Sequence, residues 1–332
     1  MQKITLILSL ILTLLPTYRV LGQEIANLYK NVKPSVVTIL TQSRSLNNNY
    51  QTTIDSGLGS GVLISNSGEI LTAAHVVNNA ETIEVKFLNG DIIPAKVVRS
   101  APTADIAIIK ISWMPKTYKV ANLGDSDTVA IGEKIIVVGA PFGLEHSLSV
   151  GYISQKAEKK NQTSGFVINE YFQTDASINQ GNSGGPMFNL NGNIIGISSY
   201  IITKSGGFEG LGFAVTSNLA QQLVVDGNRK WTGIQGYLLD ERTAAMLNVP
   251  GSAGILIESV VKYSPADMAG LKGGFQNIMI NNETIIAGGD IILSINGFPI
   301  SKTLKDLDFL NTNTYELEIL RKGKIEAITI QF

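Results

Sequence analysis

The 332 residues carry 26 Lys and Arg against 27 Asp and Glu, a formal net charge of -1, so the chain lacks the basic excess with which nucleic-acid binders hold phosphate. Hydrophobic residues make up 44% and charged residues 16%, with no long run of one sign, which excludes a disordered chain and leaves core enough for two ordinary domains or three small ones. Cysteine is absent and histidine occurs only at His75 and His146, which excludes disulfides, thiol nucleophiles and thiolate metal sites, argues against a zinc site of several histidines, and leaves few imidazole bases.

The chain opens "MQKITLILSLILTLLPTYRVLGQ". Lys3 precedes an apolar run over residues 4–15, Pro16 breaks it, and Gly22 offers a small residue for cleavage. The run falls short of the roughly 20 apolar residues that a bilayer span needs. Residues 1–22 therefore read as a secretory signal peptide, with a retained membrane anchor as the alternative. The mature chain is expected outside the cytoplasm, secreted or in the cell envelope, where an absence of cysteine suits an oxidising compartment. A short helix and a strand from about Ser35 come next, then a polar segment at 43–57 that reads as an exposed loop. From there to about Val215 short runs rich in β-formers alternate with turn signals, among them "GSGVLIS", "DIAIIKI", "KIIVVGAP" and "NGNIIGISSYII", the pattern of an all-β sandwich or barrel. Residues 216–225 read as a helix capped by Ser217, and 226–230 as a linker. Residues 231–332 form a second unit. It has strands at "GILIESVV" and "DIILSING", a hairpin turning near Lys322 and Gly323, helices at "SPADMAGL" and "SKTLKDLDFL", and a segment at 273–290 long enough for an added hairpin.

The stretch "GNSGGP" at 181–186 sets one serine among three glycines. Such a composition suits a hairpin turn, and equally a tight turn that presents the Ser183 hydroxyl and aims backbone N–H groups at one point. A serine hydroxyl becomes a useful nucleophile only when a base takes its proton and a third group orients that base. "LTAAHVV" supplies His75 at the end of an apolar run, and "TADIAIIKI" supplies Asp105 at the start of a strand. Singly, such a histidine is more often a satisfied structural residue and such an aspartate a cap. Together, His, then Asp, then Ser is the chain order of chymotrypsin.

Three blocks, "TAAHVV", "TADIAIIKI" and "FQTDASINQGNSGGPMFNLNGNIIGI", resemble the catalytic segments of the HtrA (Deg) family of trypsin-like serine proteases. "GAPFGLEHSLSVGYIS" is similar to the family's G-x-P-F-G segment, and "GLGFAVTSNL" to the strand and helix that close its protease domain. The resemblance implies a mostly β fold. A chymotrypsin-like or trypsin-like double β-barrel would occupy residues 23–225 and an α+β PDZ domain residues 231–332. Carried over, Ser183 is the nucleophile, His75 the general base and then the acid, and Asp105 the group that holds the imidazole. The N–H groups of Gly181 and Ser183, with Asn182 between them, would form the oxyanion hole. Gly184 and Gly185 would turn the chain away without a side chain to block substrate. Asp175 would support the loop before the serine, and His146 would sit in a solvated polar loop.

No aspartate marks the base of the pocket whose walls come from 176–181 and 201–213. Ile178, Ile201 and Phe213 therefore suggest a pocket for small or medium aliphatic side chains, although the same isoleucines also suit ordinary barrel core. "WTGIQGYLL" resembles the family's entry to a PDZ domain, although Thr232 stands where leucine is common. Trp231, Thr232 and Gly233 would form the carboxylate loop, and Ile234 would begin the strand that receives a peptide C-terminus. Leu304, Leu307 and Leu310 would line the facing helix, a stripe that core packing also explains. The family implies unfolded proteins or peptides as substrates, peptide C-termini at the PDZ domain, a homo-trimer or larger oligomer, and no metal or organic cofactor. The expected activity is serine endopeptidase action in extracytoplasmic protein quality control. The alternatives are a chaperone or adaptor that keeps the protease fold as scaffold, and a regulatory protease that cuts one signalling protein.

Overall fold

The structure, a computed structural model, describes residues 20–46, 52–140, 146–160, 168–179, 181–201, 208–226, 231–280, 283–301 and 312–332. Helix α1 (Val20–Val32) runs without a break through Gly22, the expected cleavage point. Its apolar residues Ile25, Leu28, Tyr29 and Val32 fall at i, i+3, i+4 and i+7, one face of a helix, and that face packs on Phe188 and Ile194. No helix among the described residues is long and apolar enough to cross a membrane.

Six strands close a first barrel: β1 (Val36–Leu46), β2 (Thr52–Leu63), β3 (Glu69–Thr72), β4 (Thr82–Lys86), β5 (Ile92–Ala101) and β6 (Ile106–Ile111), in the order β1-β2-β3-β6-β5-β4. β4 shows the alternation that closes such a barrel, with Ile83 and Val85 inward and Thr82 and Glu84 out. The polar segment at 43–57 belongs mostly to β1 and β2 rather than to a loop: Ser43 pairs with Asp55 and Leu46 with Thr52. Ser and Asp carry little strand preference of their own, and cross-strand pairing supplies the order that composition did not announce.

A second barrel follows: β7 (Lys134–Gly139), β8 (Ser147–Lys160), β9 (Ile168–Thr174), β10 (Pro186–Phe188), β11 (Ile194–Ile201) and β12 (Gly212–Thr216), closed as β10-β11-β12-β9-β8-β7. Each barrel has its own apolar interior, around Ile39, Ile70 and Ile109 in the first and Ile135, Phe172 and Ile195 in the second. A third cluster joins them, with Leu71, Ile106 and Ile108 of the first barrel against Val138, Ile197 and Val215 of the second. The chain then enters a short helix at Ser217–Ala220 that widens over Gln221–Val225. Ser217 is not its cap. Its hydroxyl donates to the Gly124 carbonyl at 2.6 Å, and Thr216 stands at the cap position with no side-chain bond to the helix.

The C-terminal unit is an antiparallel sheet with short helices. β13 (Ile234–Leu239) lies at its edge and pairs with β14 (Gly254–Val260); the added hairpin is present as β15 (Gln276–Ile280) and β16 (Glu283–Ala287). β17 (Ile291–Ile295), with β18 (Phe298–Pro299) on it, leads to β19 (Thr314–Arg321) and β20 (Lys324–Gln331), joined by the predicted turn at Lys322 and Gly323, both at positive φ. Helix Glu241–Met246, absent from the sequence reading, starts at Asp240, whose carboxylate accepts the Thr243 amide at 2.8 Å. Buried Asp290 receives both Nε and Nη2 of Arg321, at 2.8 and 2.7 Å, and so ties β17 to β19.

The two barrels come close at the turn before β10. Gly184 has φ +81°, and a Cβ there would overlap the Thr72 hydroxyl and the Ser60 carbonyl of the first barrel. The glycine makes room for the neighbouring barrel rather than for substrate. Gly184→Ala would add left-handed strain to a steric clash, and is expected to lower stability by about 3 kcal/mol or more in urea unfolding of the purified protein.

Candidate active site

β3 ends at Thr72, and the chain passes through extended Ala73 into a single helical turn, Ala74–Val77. Ala74 and Val77 are buried, which leaves His75 pointing outward with its side chain half exposed. Asp105 follows the tight turn Pro102–Ala104 and sits in the left-handed region at φ 54°, which aspartate tolerates better than most residues. In that conformation its carboxylate accepts the His75 backbone N–H at 2.9 Å and lies 3.0 and 2.9 Å from His75 Nδ1. With Nδ1–H donating to a carboxylate, Nε2 is the ring's free acceptor.

A third donor reaches the same carboxylate. The Ser199 hydroxyl, buried in β11 of the second barrel, donates to Asp105 Oδ2. The sequence reading missed Ser199. Its signal was the polar pair Ser198 and Ser199 inside an otherwise apolar buried strand, "IIGISSYI". Packing of the inner part of the imidazole lowers its pKa, but the hydrogen bond and the negative charge of Asp105 outweigh that, and the net shift is upward from the ordinary histidine value.

Ser183 is half-buried in the turn that enters β10. The backbone around it has a distinctive pattern of bonds. The Asn182 amide donates to the Asn179 carbonyl at 2.9 Å, Gly184 to Ser198 at 2.7 Å, and Gly185 to Asn182 at 2.9 Å. Among the described residues, the amides of Gly181 and Ser183 have no acceptor. Gly181 stands at φ +98°, a conformation for which glycine is suited. His75, Ser183 and Gly181 line one cavity of about 390 Å³, together with Thr41, Asp55 and Asn79. No hydrogen bond joins Ser183 to His75 among the described residues; such bonds are often long before substrate binds.

Asp175 accepts the Tyr152 amide at 2.6 Å and so fastens the segment before Ser183 to β8. His146 is buried at 3% exposure rather than solvated: its Nε2 donates to the Val36 carbonyl at 2.8 Å, and its own carbonyl accepts the Tyr29 hydroxyl. Polar neighbours in sequence concealed a residue whose ring bonds β1 and whose backbone carbonyl bonds α1. Ile178 is buried against Gly212, Ile201 is half-buried at the end of β11, and the Phe213 ring stacks on Tyr200 at 4.8 Å in the cluster between the barrels.

In the C-terminal unit the Thr232 and Gly233 carbonyls turn inward, accepting the amides of Ala266 and Val261 at 3.0 and 2.9 Å. Thr232 Oγ1 accepts the Ile234 amide at 3.2 Å. Trp231 packs with Val76 on the first barrel's core, and Asn79 donates to Gln235 at 2.8 Å. Leu304, Leu307 and Leu310 lie outside the described residues. Among the described residues no three His, Asp or Glu side chains are grouped as metal ligands.

Paired six-stranded barrels with an imidazole, a carboxylate and a serine at their seam place the chain in the trypsin-like peptidase class, and a trypsin-like peptidase domain matches residues 59–197. Within that class the chain belongs to the HtrA family of DegP-like serine proteases. It is 37% identical over 285 residues to a probable periplasmic serine endoprotease DegP-like of Pseudomonas putida (strain GB-1), a match covering 82% of this chain and 55% of that protein. Identity to the protein of the same description from Pseudomonas savastanoi pv. phaseolicola (strain 1448A / Race 6) is 38%, with the same coverage of 82% and 55%. The chain thus spans about half the length of these curated relatives. The solved HtrA-type protease AlgW with decapeptide superposes with a TM-score of 0.53 at 28% identity, over 92% of this chain and 97% of that one.

With only two histidines in the chain, NMR titration can follow His75 directly. Its pKa should lie above about 6.5, and Asp105→Asn should drop it below that value, because the opposing effect of packing remains when the carboxylate's charge is gone. An unmoved His75 titration in Asp105→Asn would show that the pairing does not act in solution.

Proposed function

We propose that this protein is a serine endoprotease acting outside the cytoplasm, on unfolded or misfolded proteins, by way of an acyl-enzyme. The reading is carried by one observation: the His75 imidazole, held at Nδ1 by Asp105, opens on the same cavity as Ser183. Nε2 would take the proton from Ser183 Oγ as that oxygen attacks the scissile carbonyl. The negative charge then forming on the carbonyl oxygen would rest on the Gly181 and Ser183 amides, and preorganised donors of this kind are worth about 10²–10³ in rate each. The imidazolium would return its proton to the leaving amine. Water would then release the acyl group by the same steps in reverse. An acyl-side pocket walled by Ile178, Ile201 and Phe213 would favour aliphatic side chains. The location follows the relatives, whose names call them periplasmic.

Casein digestion tests the reading. Wild-type protein should cleave, and Ser183→Ala should lose about 10⁵-fold or more in kcat at an unchanged melting temperature. Because the base must be neutral, kcat/KM should fall as pH drops through the His75 pKa, so the acid limb should lie above about pH 6.5. Suppressed aggregation without cleavage by either protein would instead favour the chaperone, and cleavage confined to one native partner the regulatory protease.

The C-terminal unit would act as a PDZ domain. What supports this is the edge position of β13, which pairs with β14 on one side and with no strand among the described residues on the other, with the Trp231, Thr232, Gly233 and Ile234 loop at its start. A bound C-terminal carboxylate would draw on the loop's amides, and Thr232 Oγ1 already takes that of Ile234. Thr232→Val removes this competitor without changing side-chain size, and should tighten binding of a hydrophobic C-terminal peptide about three- to tenfold by calorimetry, one neutral hydrogen bond's worth. An amidated peptide should bind neither form.

A further inference from the structure

We propose that Ser60 is a positioning residue for the oxyanion hole, an inference that deepens the protease reading and rests on it. Ser60 lies in β2 at 0% exposure. Its hydroxyl donates to the Gly181 carbonyl at 2.6 Å and accepts the Ala140 amide at 2.9 Å. Its amide donates to the Ser183 carbonyl at 2.8 Å, and its carbonyl accepts the Thr72 hydroxyl at 2.7 Å. One residue of the first barrel therefore holds both residues whose amides would receive the oxyanion, together with the end of β7.

The peptide planes show what this fixes. The plane between Gly181 and Asn182 is held at both ends, its carbonyl by Ser60 and its N–H by the Asn179 carbonyl. The plane between Asn182 and Ser183 carries one free amide, and its carbonyl is held by Gly185. The other free amide, that of Gly181, belongs to a residue at φ +98° whose missing side chain sets no preference of its own. The direction of that N–H depends on the frame beyond it, which the Ser60 hydroxyl pins. Without the hydroxyl, the buried Gly181 carbonyl and Ala140 amide both lose a partner, and rotation of the Gly181 plane toward another donor becomes favourable.

A purely structural Ser60 would also join the barrels, so the test must separate geometry from folding. Wild type, Ser183→Ala, Ser60→Ala and Ser60→Thr are titrated to completion with a fluorophosphonate, and kcat is then measured per titrated site on a peptide amide. Ser60→Ala should lose about 10- to 100-fold in kcat per site, below the about 10²–10³ that follows outright loss of a donor. KM and the acid limb of the pH profile should stay put, because the His75 and Asp105 pair is untouched. Ser60→Thr, which keeps the hydroxyl, should remain within about fivefold of wild type. The proposal is overturned if kcat per site is unchanged in Ser60→Ala, if only the number of titratable sites falls, if Ser60→Ala does not fold, or if Ser60→Thr is as slow as Ser60→Ala. A wild type that does not cleave, or cleavage that survives Ser183→Ala, would instead bring down the underlying protease reading.

Discussion

The Asp105 carboxylate is the point at which two barrels become one site. It arises from the first barrel and accepts a hydroxyl from the second, with the His75 amide and ring as its remaining donors. A carboxylate only 19% exposed needs hydrogen-bond partners, and each of these lies at the seam. Its hydrogen bond and its charge together lift the imidazole toward the protonated form, and the same hydrogen bond fixes which nitrogen faces the cavity. The left-handed backbone at Asp105 is a local strain of about 1 kcal/mol or more that the surrounding bonds hold in place.

The remaining contacts across the seam share that character. Apolar packing brings the barrels together through Leu71, Ile108, Val138 and Ile197, and by itself fixes their separation more closely than their orientation. Orientation is set by directional bonds in the same interface: Ser60 to Gly181 and Ser183, and Ser199 to Asp105. The glycines around Ser183 belong to this set. They let a backbone turn lie against another backbone, so the hydroxyl and the amides beside it take their places from the facing barrel.

Much of this was legible in the sequence, and the reason lies in the range of the interactions. β-branched runs announce strands within a few residues, so the barrel strands at "DIAIIKI" and "KIIVVGAP" were readable, as was the turn at Lys322 and Gly323. The pairing of His75 with Asp105 and the shared cavity of His75 and Ser183 match the expectation drawn from their chain order. Ser60 and Ser199 were not readable, because a small hydroxyl inside a strand carries no signal until its partner is known, and those partners lie 121 and 94 residues away. His146 was misread for the same reason. Its sequence neighbours are polar, but its surroundings are β1 and α1, more than a hundred residues earlier.

The helical turn that carries His75 shows how few degrees of freedom the site retains. At 100° per residue, Ala74 and Val77 point into the first barrel, and both are buried there. Val76 lies against the same core beside Trp231, and Asn79, just past the turn, is held by Gln235. His75 faces the cavity together with Val76 and Asn79, and its backbone N–H and its ring are bound by a single carboxylate. An imidazole on one turn of helix would be mobile if it stood alone, since so short a segment has no cooperative stability of its own. Here the turn borrows rigidity from the barrel beneath it and from the C-terminal unit beside it, and the imidazole has one place in which to stand.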